Sequence, residues 1–396
     1  MNGTVRVEGN VAAGFEPVAD AFASNFALGR ETGAACAVYV DGREVVDIWA
    51  GPADPASGRA WERSTIAPVY STTKGVTAIC AHLLAQRGEL DLHRPVSFYW
   101  PEFAAAGKAS IPVRMLLDHS AGLPTVDRRL TPDEVLAERP VMEALAAQMP
   151  LWEPGSRHGY HALTYGWLVG EVVRRLTGRS LGRFLAEEIA GPLGLDLHIG
   201  LPEALYDRVA RMVRPPAPEP RPETPALSPE PESLLVRALS LNGTFPLDAK
   251  VSQDPADEKR AYAAESPGTG GIGDARSLAR LYAACVSTVD GFRLLDDSTI
   301  AAACEGAPAG PDAVLPWDTR YGQGFWLPTP QQPIMTGASF GHPGMGGSIG
   351  FADPLARVGF GYVPNNIGAG DGMAGDPRKR PMISALCDVL GFPDPA

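Results

Sequence analysis

Residues 70–75 read Tyr70-Ser71-Thr72-Thr73-Lys74-Gly75, and they open an apolar run that continues to Arg87 and closes at Gly88. The run predicts a helix over 71–87 with an S-x-x-K motif at its start. Positions three apart share a helix face, so the Lys74 amine can reach the Ser71 hydroxyl. A serine hydroxyl is a weak nucleophile until a neighbouring base takes its proton, and a lysine of depressed pKa can be that base. The N–H groups and positive potential at a helix start suit a developing oxyanion. The competing reading of the motif is a serine N-cap beside an exposed lysine.

Upstream of this motif, Phe15, Val18, Ala19, Phe22 and Phe26 recur at helical spacing and predict an amphipathic helix over 14–28. Two apolar runs, Ala35 to Val40 and Val45 to Trp49, flank Asp41-Gly42 and predict a β-hairpin. Downstream the chain reads as helical, with segments at 112–118, 131–147, 163–177 and 181–190. Thr131-Pro132-Asp133-Glu134 carries a capping box with proline at the first helical position. Residues 214–231 hold eight prolines and predict an extended exposed segment. A helix at 275–287 follows, then strand signals at 324–327, 348–352 and 357–363, and a last helix over 378–390. If the early and late strands share one sheet, the helical middle is an insertion. The expectation is a discontinuous α/β domain of residues 10–80 and 265–396, with a mainly helical domain over 81–264 that includes the proline-rich segment.

Glycine (44) and proline (38) make up about a fifth of the 396 residues, against an average near 12%. The excess is aperiodic, which excludes collagen and implies many turns and loop-built surfaces. A hydrophobic content of 45% excludes a disordered chain. The net charge of −12 and the lack of a basic stripe argue against nucleic-acid and anionic-membrane partners. No secretory signal is visible and no apolar stretch is long enough for a spanning helix, so a cytoplasmic location is expected. The five cysteines (Cys36, Cys80, Cys285, Cys304, Cys387) are scattered without a C-x-x-C pair and are expected as buried free thiols.

A second serine competes with Ser71. Gly346-Gly347-Ser348-Ile349-Gly350 matches G-x-S-x-G, the elbow that presents a nucleophile between a strand and a helix. Here the serine enters a strand instead, and no histidine follows it in the chain. A glycine-rich strand entry is the reading that remains. The seven histidines show no metal-ligand spacing, so no metal is expected. The cluster His158-Gly159-Tyr160-His161 is a candidate polar site. The glycines of 268–273 follow no clear strand and lack G-K-[ST], so no phosphate loop is expected.

In order and spacing these pieces resemble the serine β-lactamase and penicillin-binding-protein superfamily, most closely the class C β-lactamase-like esterases called family VIII carboxylesterases. The resemblance spans about 13–390 and rests on six segments. These are 70–75, Leu116 to Pro124, Trp152-Glu153-Pro154-Gly155, Tyr160-His161-Ala162, Leu168-Val169-Gly170 and Gly341 to Ser348. It implies an antiparallel sheet flanked by helices, with an inserted helical domain. It also implies that Ser71 is acylated, that Lys74 activates it and that Tyr160, matching the tyrosine of Y-x-N, is the general base. A Lys74 ammonium beside the phenol would favour phenolate. The backbone N–H groups of Ser71 and Met345 would form the oxyanion hole, and His342 and Gly344 would meet substrate. The alternative role for His342 on this resemblance is to orient the Tyr160 phenol. Two departures stand out. The asparagine of Y-x-N is Ala162, and the lysine of K-T-G is His342. In the family both groups help to handle amide and carboxylate substrates.

The expectation is therefore a serine carboxylesterase that acts through an acyl-enzyme on Ser71, takes a small-molecule ester and needs no cofactor. The rivals on the same site are a β-lactamase, DD-peptidase, amide hydrolase, lactonase or acyltransferase, and from another class a non-catalytic binding protein. Oligomeric state is left open.

Overall fold

The structure, a computed structural model, describes residues 5–214, 233–245, 255–306, 309–367 and 376–395. Residues 215–231 of the proline-rich segment and the four glycines between 368 and 375 lie outside the described residues.

Nine strands position the site: β1 (Glu8–Val11), β2 (Ala34–Val40), β3 (Arg43–Ala50), β4 (Ala67–Tyr70), β5 (Leu197–Ile199), β6 (Gly271–Gly273), β7 (Phe340–Pro343), β8 (Ile349–Asp353) and β9 (Val358–Pro364). Six of them form one antiparallel sheet in the order β1-β3-β2-β9-β8-β7, and β4, β6 and β5 form a small three-stranded sheet in that order. The hairpin of β2 and β3 turns at Asp41 and Gly42, whose φ values of 51° and 76° fit the type I′ turn that matches strand twist. The centre of the large sheet is the pairing of β2 with β9, so its two halves come from opposite ends of the chain.

Alternation along β2 sorts its side chains between two layers. Ala34, Cys36 and Val38 join a core with Phe351, Val358 and Phe360, covered by two helices that pack on each other, α1 (Glu16–Ala27) and the C-terminal Lys379–Leu390. These helices supply Val18, Phe22, Met382, Ile383 and Leu386. Full burial of the Phe22 ring contributes about 2 kcal/mol through apolar surface removed from water. Ala35, Ala37 and Tyr39 face the other, larger core. On that side Ala275–Val286 lies directly on β9, at a separation set by glycine. A Cβ on Gly359 would stand 2.3 Å from the Ala279 carbonyl oxygen, and one on Gly361 would stand 2.1 Å from that of Ala275.

Helix α2 (Thr73–Gln86) runs through the larger core with every residue from Thr73 to Leu84 buried, as suits a segment apolar on all sides. It packs against α3 (Thr164–Thr177), which ends at Gly178 in the left-handed conformation.

Three expectations change. The helix expected over 131–147 is two helices, Pro132–Leu136 and Arg139–Ala147, separated by Glu138 at φ 58°. Pro140 has no N–H to continue the first helix and its ring would strike the preceding turn, so the chain breaks and restarts. The strand expected at 324–327 is reduced to Trp326, which exchanges backbone hydrogen bonds with Gly341 (2.8 and 3.3 Å) beyond the edge of the large sheet. The glycines of 268–273 do enter a strand, β6, paired on both sides. All five cysteines are free, four buried and Cys304 half-buried.

Candidate active site

Ser71 sits between strand β4 and helix α2, the strand–turn–helix setting that the G-x-S-x-G serine lacks. The turn is made by Tyr70 at φ 47°, a conformation that costs a non-glycine residue about 1–3 kcal/mol. Thr73 holds it from below: its hydroxyl donates to the Tyr70 carbonyl and accepts the Gly271 N–H at 2.9 Å. A Cβ on Gly271 would lie 2.5 Å from that same hydroxyl oxygen, so the glycine permits the contact. Ser71 is only 6% exposed.

Lys74 lies three residues beyond Ser71, in the first turn of α2, and is fully buried. Its Nζ stands 3.3 Å from Ser71 Oγ, 2.7 Å from the Ala162 carbonyl oxygen and 2.9 Å from that of Gly268. Burial holds the amine well below the ordinary lysine value. A neutral amine has two N–H donors and one lone pair. The two carbonyls occupy the donors, which leaves the lone pair to the Ser71 hydroxyl. The geometry is that of a base ready to accept the serine proton. The Y-x-N departure leaves this intact, because at Ala162 the contact is made by backbone.

Tyr160 is also fully buried, with Lys74 Nζ 4.9 Å from its ring centre. Burial pushes its phenol above the ordinary value, and the Ser71 hydroxyl acts in the opposite sense. The hydroxyl has no well-formed hydrogen bond, although Ser71 is near enough to influence it. The family resemblance implies a phenolate stabilised by an ammonium. Burial instead pushes both groups toward their neutral forms.

The Tyr160 backbone is clamped on both sides. Its N–H donates to Asp312 Oδ1 at 3.0 Å, and the His161 N–H donates to His119 Nδ1 at 3.1 Å. His161 Nδ1 bonds the Gly159 carbonyl at 2.6 Å, and His161 Nε2 accepts the Leu123 N–H at 2.9 Å. Burial lowers His161 to about 4 and His119 well below its ordinary value. Both are neutral scaffolding imidazoles. Asp312 also accepts from Thr319, Tyr321 and the Val314 and Leu315 N–H groups, which ties the Tyr160 loop to the segment before Trp326. No motif in the sequence points to Asp312 or Tyr321. His158 is half-buried with its ring against Tyr321 and its Nε2 unpartnered.

His342, on edge strand β7, stacks on Tyr160 with ring centres 6.0 Å apart. Its Nδ1 bonds the Pro343 carbonyl at 2.7 Å, and its Nε2 is buried without a partner. Burial first, then Lys74, lower its pKa well below the ordinary value. The ring is therefore neutral and its Nε2 a free acceptor. The Gly344 N–H is committed to the Ser348 carbonyl at 2.7 Å, and a Cβ there would lie 2.2 Å from Ser348 Oγ and 2.3 Å from the Val69 carbonyl oxygen. Gly344 is thus seen as a packing position. Among the described residues, neither the Ser71 N–H nor the Met345 N–H donates to any acceptor, which leaves both available to an oxyanion.

Ser348 is buried elsewhere. Its Oγ donates to the Val69 carbonyl at 2.8 Å and lies 3.1 Å from Thr72 Oγ1. A cleft of about 640 Å³, lined by His93, Arg114, Asp118, Arg157, His158 and Tyr321 among others, reaches Tyr321 and stops short of Ser71. No cluster of three or more metal-ligating side chains occurs among the described residues. No described helix is long and apolar enough to cross a membrane.

The beta-lactamase family model matches residues 19–380. The esterase/beta-lactamase LipL of Mycobacterium tuberculosis is 36% identical over 369 residues, 91% of this chain and 83% of LipL. Among solved structures, a family VIII carboxylesterase superposes with a TM-score of 0.86 at 36% identity, covering 97% of this chain and all (100%) of that one. A penicillin-binding protein homolog from Caulobacter crescentus gives 0.85 at 35% identity, with 97% and 100% covered.

Proposed function

This chain belongs to the beta-lactamase family, and on that premise we propose that it is a serine carboxylesterase working through an acyl-enzyme on Ser71. Lys74 takes the hydroxyl proton as Ser71 attacks the ester carbonyl. The N–H groups of Ser71 and Met345 hold the tetrahedral oxyanion, and the Tyr160 hydroxyl passes a proton to the departing alkoxide. Water then enters by the same route and releases the acid. No cofactor takes part. A cytoplasmic location and a helical domain over 81–264 belong to the same reading, supported by the five free thiols and by the sheet built from both chain ends.

The observation that carries ester over β-lactam or peptide is the neutrality of the site. His342 stands where the family's K-T-G lysine would stand, and burial keeps its imidazole uncharged. The same cause draws Lys74 toward its neutral form. A substrate carboxylate aimed at that position meets an uncharged imidazole in place of a cation, at a cost of several kcal/mol for an unpaired charge. An ester with an uncharged acyl group meets no such penalty, and its alkoxide leaves more readily than an amine.

The test compares p-nitrophenyl acetate and butyrate with a chromogenic cephalosporin on the wild type and on Ser71→Ala. Ester turnover that vanishes in Ser71→Ala, with cephalosporin turnover at least about a hundredfold weaker, is the expected result. Equal or greater cephalosporin turnover would overturn the ester reading. LipL, whose name joins both activities, is the reason for including that arm.

A further inference from the structure

A fully buried ion cluster lies behind the Met345 turn, and the proposed chemistry does not use it. Arg378, Glu31 and Asp376 have side-chain exposures of 0%, 0% and 1%. Arg378 Nη1 lies 3.1 Å from Glu31, Nη2 lies 2.6 Å from Asp376 Oδ2, and Nε lies 2.9 Å from Asp376 Oδ1. Tyr362 donates its hydroxyl to Glu31. The guanidinium has two further N–H groups, and both go to backbone: Nη1 to the Asn366 carbonyl at 3.0 Å and Nη2 to the Gly346 carbonyl. All five donors of the fork are therefore used.

Such a cluster is a poor device for stability alone. Removing three charges from water costs more than apolar packing of the same volume would. What it does instead is fix a backbone. Gly346 and Gly347 have φ values of 80° and 97°, and a Cβ on Gly347 would lie 2.2 Å from Asp376 Oδ2. Among the described residues, the turn that carries Met345 is otherwise held by two backbone bonds, Gly344 N–H to Ser348 carbonyl (2.7 Å) and Gly347 N–H to Gly344 carbonyl (3.1 Å). Among the described residues, the Gly346 carbonyl bond is its one tether to a charged side chain.

We propose that Arg378 is a positioning residue for the oxyanion hole: by gripping the Gly346 carbonyl it sets the direction of the neighbouring Met345 N–H toward the ester oxygen bound at Ser71. This rests on the esterase reading, because it presumes an oxyanion formed at Ser71.

The test uses Arg378→Lys, which keeps the charge but has three donors in place of five, and Asp376→Asn, which keeps the shape and removes a charge. Each is compared with wild type on p-nitrophenyl acetate and on its thionoester, whose sulfur is a weak acceptor for N–H donors. The folded variants are expected to lose about tenfold to a hundredfold in kcat on the oxygen ester, less than the loss from deleting a whole oxyanion donor. KM should stay within about twofold, and the preference for oxygen over sulfur should shrink in proportion. A folded variant whose oxygen-to-sulfur preference is unchanged, whatever its kcat, overturns the inference, since a merely structural defect slows both esters alike. If Arg378→Lys does not fold, the same two outcomes are read from Asp376→Asn. Ser71→Ala separates the two levels: ester turnover surviving in it overturns the esterase reading and this inference together. A dead Ser71→Ala beside unaltered Arg378 and Asp376 variants overturns the inference alone.

Discussion

Ser348 Oγ donates a hydrogen bond to the carbonyl of Val69, two residues before Ser71, at 2.8 Å. A serine in a sequence that imitates a nucleophile elbow thus holds in place the strand that presents the proposed one. Its second neighbour, Thr72 Oγ1, makes the link two-pronged.

Ser348→Ala should therefore lose stability without losing the covalent site. Removing two buried hydrogen bonds and leaving their partners unmet costs about 1–3 kcal/mol. A fluorophosphonate should still form its adduct on Ser71, located by peptide mass, while thermal melting falls. A folded Ser348→Ala that takes up no label would sink this assignment.

Lys74→Arg keeps donors for the Ala162 and Gly268 carbonyls but has no lone pair to offer and can never deprotonate. If the neutral amine is the base, kcat should fall by about 10²–10⁴-fold, the range of general-base catalysis. In the wild type, kcat/KM should rise with pH as Lys74 loses its proton, with a midpoint well below the ordinary 10.5 because the amine is buried. A variant within threefold of wild type would exclude the role.

Glu31 supplies a pH signature for the buried cluster. Burial raises its pKa from 4.5 to about 7, despite the opposing pull of Arg378. Between those values the folded protein retains a proton that the unfolded chain has released. The contribution to stability is full below 4.5 and is lost as pH rises through 7. Glu31→Gln copies the protonated form and cannot titrate. Its melting temperature relative to wild type should climb between pH 5 and pH 8, by an equivalent of up to about 3 kcal/mol. A difference flat across that range would show that Glu31 is ionised throughout.

Gly361→Ala tests the helix–sheet spacing. The added Cβ would stand 2.1 Å from the Ala275 carbonyl oxygen, so the helix over Ala275–Val286 must move. A loss of about 1–3 kcal/mol in denaturant unfolding is expected. Because the helix also carries Tyr282, whose hydroxyl faces Gly75, ester turnover should fall as well.

What could be read from the chain was whatever depends on near neighbours. Asp41-Gly42 specifies a tight turn by its own φ angles, and S-x-x-K places two groups on one helical turn, so both were visible. Strand β6 was not, because a three-residue Gly-Ile-Gly segment shows no alternation and is a strand only through its neighbours on either side. Asp312 and Arg378 were hidden for a related reason. Their partners, Tyr160 and Gly346, lie far off in sequence, and a lone acidic or basic residue carries no local sign that it will be buried. The charge states of Lys74 and Tyr160 depend on burial, which spacing alone does not report.

The pairing of β2 with β9 has a consequence for how this protein is made. Val40 meets Val358 across the middle of the sheet, a closure over roughly 320 residues that folds slowly because so much chain entropy is lost before any contact rewards it. During synthesis the early hairpin leaves the ribosome with one edge bare, and it stays bare until nearly the whole chain has been made. The Met345 turn arrives in that same late segment. Ser71 and Lys74 are therefore synthesised long before the Met345 turn, and on the proposed chemistry the nascent chain is inert until its sheet closes.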